Sequence, residues 1–103
     1  MIPLELQRRK SLDKSLEVYY WKDYQQNEVD FVLKRDKKVE TLIQVSYINS
    51  KEEIKEREIN ALLKASKELR CKNLIIITWD YETEEKFKGN NIKFVPLWKW
   101  LLE

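Results

Sequence analysis

Apolar and polar positions change period several times along the chain, and each change marks an expected element. Pro3 suits the first turn of a helix, and Leu4, Glu5, Leu6, Gln7, Arg8, Arg9 and Lys10 are mostly good helix formers, so a short helix is expected over residues 3 to 10. Residues 11 to 16 form a polar connector. The Tyr- and Trp-rich run at residues 18 to 24 predicts a first strand. Beyond the turn chemistry of residues 23 to 27, Val29, Phe31 and Leu33 alternate with Glu28, Asp30 and Val32, as in a strand with one apolar and one acidic face. A charged turn at residues 34 to 38 leads to a third alternating run. There Val39, Thr41, Ile43, Val45 and Tyr47 interleave with Glu40, Leu42, Gln44 and Ser46, which predicts an antiparallel meander.

The period then becomes helical. Ser50 with Glu53 three residues on has the spacing of a capping box, in which hydroxyl and carboxylate satisfy each other's backbone donors. A helix is expected over residues 51 to 70, with Ile54, Ala61, Leu62, Ala65 and Leu69 on the face that covers the sheet. Leu74-Ile75-Ile76-Ile77-Thr78 reads as a central strand buried on both faces, parallel to an earlier strand through the helical crossover. Residues 82 to 91 read as a polar loop, residues 92 to 95 as an edge strand, and Pro96 as the opening of a last short helix over 97 to 102. The order α-β-β-β-α-β-β-α predicts one α/β domain over residues 1–103, with a mixed central sheet flanked by helices.

Composition narrows the class. The charged share is 37%, above the ~25% of an average domain, and Lys and Glu dominate it. With one Gly and two Pro, this fits surface ion-pair networks and short loops, the composition of a thermophilic protein. Net charge is only +2 and is spread evenly, so nucleic-acid binding has to rest on a local patch. Cys71 stands alone and there is no His, which excludes an internal disulfide, a histidine triad and a zinc cluster. No apolar run approaches the ~20 residues of a membrane span, and there is no apolar leader, so an intracellular, cytoplasmic chain without membrane contact is expected.

Two constellations carry candidate chemistry. Glu28 and Asp30 are two residues apart on one strand and share a face, as do Gln44 and Ser46 on the next. In a meander these faces coincide, bringing carboxylates beside an amide and a hydroxyl, hard oxygen donors suited to Mg or Mn. A bound ion of that kind activates water for phosphodiester attack. The same spacing also suits an ordinary polar sheet face. The second constellation is Arg8, Arg9 and Lys10 with Lys14 beyond, a phosphate-binding cluster or a solvated helix end. Trp98 and Trp100 suit base stacking or packing on the sheet, and packing fits their short amphipathic segment better.

The element order, with Glu28-Val-Asp-Phe-Val32, Leu42-Ile-Gln-Val-Ser46, Arg57-Glu-Ile-Asn-Ala-Leu-Leu63 and the ending Val95-Pro-Leu-Trp-Lys-Trp-Leu-Leu102, resembles the PD-(D/E)XK nuclease superfamily. The likeness covers nearly the whole chain. It is greatest to the nuclease-like C-terminal domain of archaeal AAA-type ATPases and to archaeal Holliday-junction resolvases. The resemblance implies an α-β-β-β-α-β core, a metal-binding aspartate at Asp30, and Gln44 in place of a second, glutamate ligand. Glu28 or Glu5 would assist, and Ser46 stands where the superfamily has its catalytic lysine. A serine lacks the lysine's positive charge, and Gln44 removes one negative charge from the metal site. Two function classes follow. One is a DNA-binding, nuclease-like domain with weak or degenerate Mg- or Mn-dependent endonuclease activity, for which Lys22 or Lys64 is a candidate substitute lysine. The other is an inactive protein-interaction or oligomerisation domain associated with an AAA-type ATPase. A homodimer fits either. No Gly-rich phosphate loop is present, so an ATPase would be a partner or a neighbouring domain, and the chain is expected to be either separately encoded or an excised domain.

Overall fold

Short polar turns keep the first three strands side by side. In the computed structural model, which describes residues 2–102, α1 (Ile2–Leu12) leads into β1 (Leu16–Lys22), β2 (Glu28–Arg35) and β3 (Lys38–Val45), an antiparallel meander. Asp36 and Lys37 close the second hairpin at φ 51° and 68°, the left-handed pair that matches strand twist in a two-residue turn. A 3-10 turn (Lys51–Glu53) and α2 (Glu56–Leu69) then cross over to β4 (Leu74–Thr78), which lies parallel to β3. β5 (Thr83–Phe87) and β6 (Asn90–Pro96) form a hairpin, and α3 (Leu97–Leu102) follows. The result is an α/β domain with a mixed six-stranded sheet in the order β1-β2-β3-β4-β6-β5.

Four expectations are corrected. Residues 82 to 91 are not a loop: Thr83–Phe87 is a strand, turned at Lys88 and Gly89 with φ 49° and 83°. β6 is therefore interior, parallel to β4 on one side and antiparallel to β5 on the other, and β5 takes the edge. The helix expected over 51 to 70 is broken at Ile54 and Lys55. Glu53 accepts from the Asn49 N–H at 2.6 Å and from the Ser50 hydroxyl at 3.3 Å, so the capping box gives way to a 3-10 turn. Finally, β2 does not keep one apolar face. Tyr19 pairs with Val32 but Trp21 with Val29, so β2 carries an extra residue, a bulge that reverses the side of the following positions. Val29 thus joins the core under α2, while Phe31 and Leu33 join the core on the other face.

The sheet is covered on both sides, which explains why Thr41, Leu42, Ile43 and Gln44 are all buried although they alternate. α2 packs Ile59, Leu62 and Ala65 against Val29, Leu42, Leu74 and Ile76. On the opposite face, Ile2 and Leu6 of α1 and Leu97 and Trp100 of α3 close over Leu33, Ile43 and Ile77. No helix among the described residues is long and apolar enough to cross a membrane.

Candidate functional site

Because β2 runs antiparallel to β3, the start of β2 meets the end of β3, and Glu28, Asp30, Gln44 and Ser46 gather at the carboxyl end of the parallel strands. Ligands of open α/β sheets commonly bind at that end. A cleft of about 310 Å³ opens there between Glu28, Asp30, Gln44, Lys55, Arg57 and Glu58. The ladder between β2 and β3 begins only at Phe31 and Ile43. Beyond it the Gln44 side chain takes over the work of backbone. Its Oε1 accepts from the Asp30 N–H at 3.0 Å and its Nε2 donates to the Glu28 carbonyl at 2.7 Å. Asp30 reciprocates, its Oδ2 accepting from the Val45 N–H at 2.8 Å. These three bonds stitch the splayed strand ends together. They also account for Gln44 being almost fully buried, since a buried amide is stable only when both its polar atoms have partners.

Ser46 faces α2 and donates to the Glu58 carboxylate at 3.0 Å. Burial pushes the Glu58 carboxyl above the ordinary carboxylate range. The Ser46 hydroxyl and Lys55 pull it back, while the Asp30 charge adds to the rise. Glu58 is the site residue that periodicity missed. Glu58 lies in the first turn of α2, and its spacing of three and four residues to the buried Ala61 and Leu62 puts it on the face toward the sheet. Lys55 and Arg57, at the same helix start, supply the cations of the cleft. Of the two lysines considered as substitutes, Lys22 stands on the rim, 3.6 Å from Glu28, whereas Lys64 pairs with Asp23 at 2.7 Å.

The residues expected from α1 lie elsewhere. α1 covers the face opposite α2, so Glu5 is separated from Asp30 by the sheet. Hydrogen bonds from Arg8 and then Arg9 hold its carboxyl far below its ordinary 4.5, at about 2. Arg9 also donates to the Trp100 carbonyl at 2.8 Å and stacks on the Trp100 ring, 4.3 Å from its centroid. Arg9 therefore fastens α1 to α3, while Arg8 pairs with Glu5 on its own helix, and of the predicted phosphate-binding cluster Arg8, Lys10 and Lys14 are exposed on the surface. A carboxyl depressed on folding stabilises the fold above its unfolded value. The Glu5 contribution is therefore complete above about pH 4.5 and is lost as pH falls toward 2. Glu5→Gln is expected to flatten the acid limb of a plot of unfolding midpoint against pH. An acid limb identical to that of the parent would remove Glu5 from this role.

Gln44 has both amide atoms engaged with backbone, one oxygen of Asp30 is committed to Val45, and no group of three acidic or cysteine side chains among the described residues is placed to hold an ion.

A mixed six-stranded sheet flanked by helices defines an α/β domain, and the chain belongs to the DUF4143 family, described as a domain of unknown function, whose model matches residues 1–100. It is also 40% identical over 108 residues to an uncharacterized protein, MJ1544, of the archaeon Methanocaldococcus jannaschii. That match takes in 99% of this chain but 23% of the relative's length, so the chain corresponds to about a quarter of the longer protein. Neither match carries a nuclease description. No solved structure matches the chain.

Proposed function

We propose that this domain has a PD-(D/E)XK-type nuclease fold that binds nucleic acid without cutting it, as one unit of a longer protein. The observation that carries the loss of cleavage is the engagement of Gln44. The residue in the position of a metal-binding glutamate is built into the backbone ladder through both its polar atoms. Ser46, in the position of the catalytic lysine, is bonded to Glu58 and brings no positive charge. The order α1-β1-β2-β3-α2-β4, with a meander followed by a parallel strand, supports the fold assignment. Phosphate contact falls to Lys55 and Arg57 at the mouth of the cleft, with Lys10 and Lys14 as outlying cations. An AAA-type ATPase is the partner that the resemblance implies.

Incubation with branched and duplex DNA in millimolar manganese is the direct test. No product is expected, while binding at low salt is expected to weaken about tenfold in the double variant Lys55→Ala, Arg57→Ala, because each lost phosphate contact removes counterion release. Manganese-dependent cutting that disappears in Asp30→Ala would overturn the proposal. A second reading, a protein-docking domain, is favoured by three large aromatic side chains, Tyr47, Trp79 and Trp98, that stand more than half exposed at the same end of the sheet.

A further inference from the structure

Trp79 immediately follows β4, and Trp98 is the second residue of α3. The chain turns that carry them are fixed. The Trp79 N–H donates to the Ile48 carbonyl at 3.1 Å, and Tyr47 meets the Trp79 ring edge-on, with centroids 6.3 Å apart and planes at 74°. Between the two indoles lies a cavity of about 460 Å³ whose walls are Trp79, Asp80, Leu97, Trp98 and Leu101. It shares no residue with the Asp30 cleft.

The chemistry of that wall is specific. Leucine and indole make it apolar, and among the described residues Asp80 is the one ionisable group lining it. Asp80 is held in place by the Trp98 indole, whose Nε1 donates to Oδ1 at 3.1 Å. A carboxylate accepts about four hydrogen bonds and can receive a guanidinium bidentately, so this contact leaves capacity for a cation. The nearest basic residue on α3, Lys99, is paired with Glu82. An aromatic face attracts a cation through its quadrupole, with tryptophan the strongest of the side chains, and a planar guanidinium stacks on it while bonding a carboxylate at its edge. A nucleic-acid strand fits less well, because Asp80 repels phosphate where the indoles would stack bases. A wholly apolar partner fits less well too, because docking would strip water from Asp80 with nothing in return.

We propose that Trp79, Trp98 and Asp80 form a receptor for an arginine side chain carried on an otherwise apolar segment of a protein partner. The proposal rests on the protein-docking reading, and it names the surface and the chemistry of what binds there.

The probe is the blocked tripeptide acetyl-Leu-Arg-Leu-amide, titrated into the intact chain while the four indole N–H signals are followed by NMR. Saturable shifts are expected at Trp79 and Trp98 and none at Trp21 and Trp100. The same peptide with neutral citrulline in place of arginine is expected to bind at least about tenfold more weakly, and Asp80→Asn is expected to weaken the arginine peptide by about tenfold. Trp98→Phe, which keeps an aromatic face but loses the bond to Asp80, is expected to cost a few-fold. Equal binding of the citrulline peptide, indifference to Asp80→Asn, or no shift at either indole would each overturn the receptor. A thymidine oligonucleotide that shifts these indoles where the arginine peptide does not would overturn it in favour of a stacking surface. None of these outcomes bears on manganese-dependent cutting, so the receptor and the non-cleaving cleft fail separately.

Discussion

Replacing Gln44 by glutamate costs about 3 kcal/mol of folding stability at neutral pH. The side chains are nearly identical in shape, so packing is preserved and the loss is electrostatic. The Nε2 that donates to the Glu28 carbonyl becomes a second oxygen facing that carbonyl, and a buried charge appears beside the Asp30 carboxylate. The cost of leaving a buried acceptor unpaired is about 1–3 kcal/mol and is greater when a charge is involved. The pH dependence identifies the cause. Burial and Asp30 both raise the pKa of the new carboxyl, so the neutral form suits the fold, and the deficit relative to the parent shrinks as pH is lowered. Chemical denaturation at pH 7 and pH 5 measures both effects. A variant as stable as the parent at pH 7 would show that Gln44 is not the staple of the strand ends.

The second large effect is expected at Trp100. Trp100→Ala should lower stability by about 3–5 kcal/mol, the range for truncating a buried large aromatic side chain. Trp100 is only 2% exposed and fills the core on the face of α1 and α3. It also anchors Arg9, which lies over its ring and bonds its carbonyl, and through Arg9 the Glu5 carboxylate. Losing the ring therefore leaves a cavity and loosens α1. Domains of this size have about 5–15 kcal/mol in total, so the variant should be marginal at 37 °C. Trp100→Phe, which keeps most of the buried area, should recover the larger part. Thermal unfolding of both variants decides the matter, and a loss below about 1 kcal/mol in Trp100→Ala would contradict the packing described.

Where two cores meet a single strand, alternation alone misleads. β3 and β4 were legible because length, apolar content and the β3-α2-β4 crossover agree. The pairing of Glu28 and Asp30 with Gln44 and Ser46 followed from period two and the meander, and the structure gathers those residues at one end of the sheet. β5 escaped because an edge strand with Glu84 and Lys86 toward solvent has the composition of a loop. The signal available was Gly89 between two five- to seven-residue runs, with Thr83, Glu85 and Phe87 sharing one face. The β2 bulge was not legible, because the extra residue shows only against the register of β1. Glu58 was missed because a carboxylate is not expected on a face that covers the sheet, although it lies three and four residues before Ala61 and Leu62 and so shares their side of the helix. Arg8 and Arg9 carry the same charge in the sequence, but only Arg9 has a partner on α3, 91 residues away, which charge alone does not reveal.

The position of β4 has a kinetic consequence. The β1-β2-β3 meander and the β5-β6 hairpin both close through short turns and can form by local search. β4 has no such neighbour: its partners on both sides, β3 and β6, are parallel to it and reached only through longer connections. Long-range parallel pairing is the slow part of assembling a sheet, because loop closure precedes any gain from contact. Pairing of the Leu74–Thr78 strand with β3 and β6 is therefore expected to be the slower part of the domain's folding.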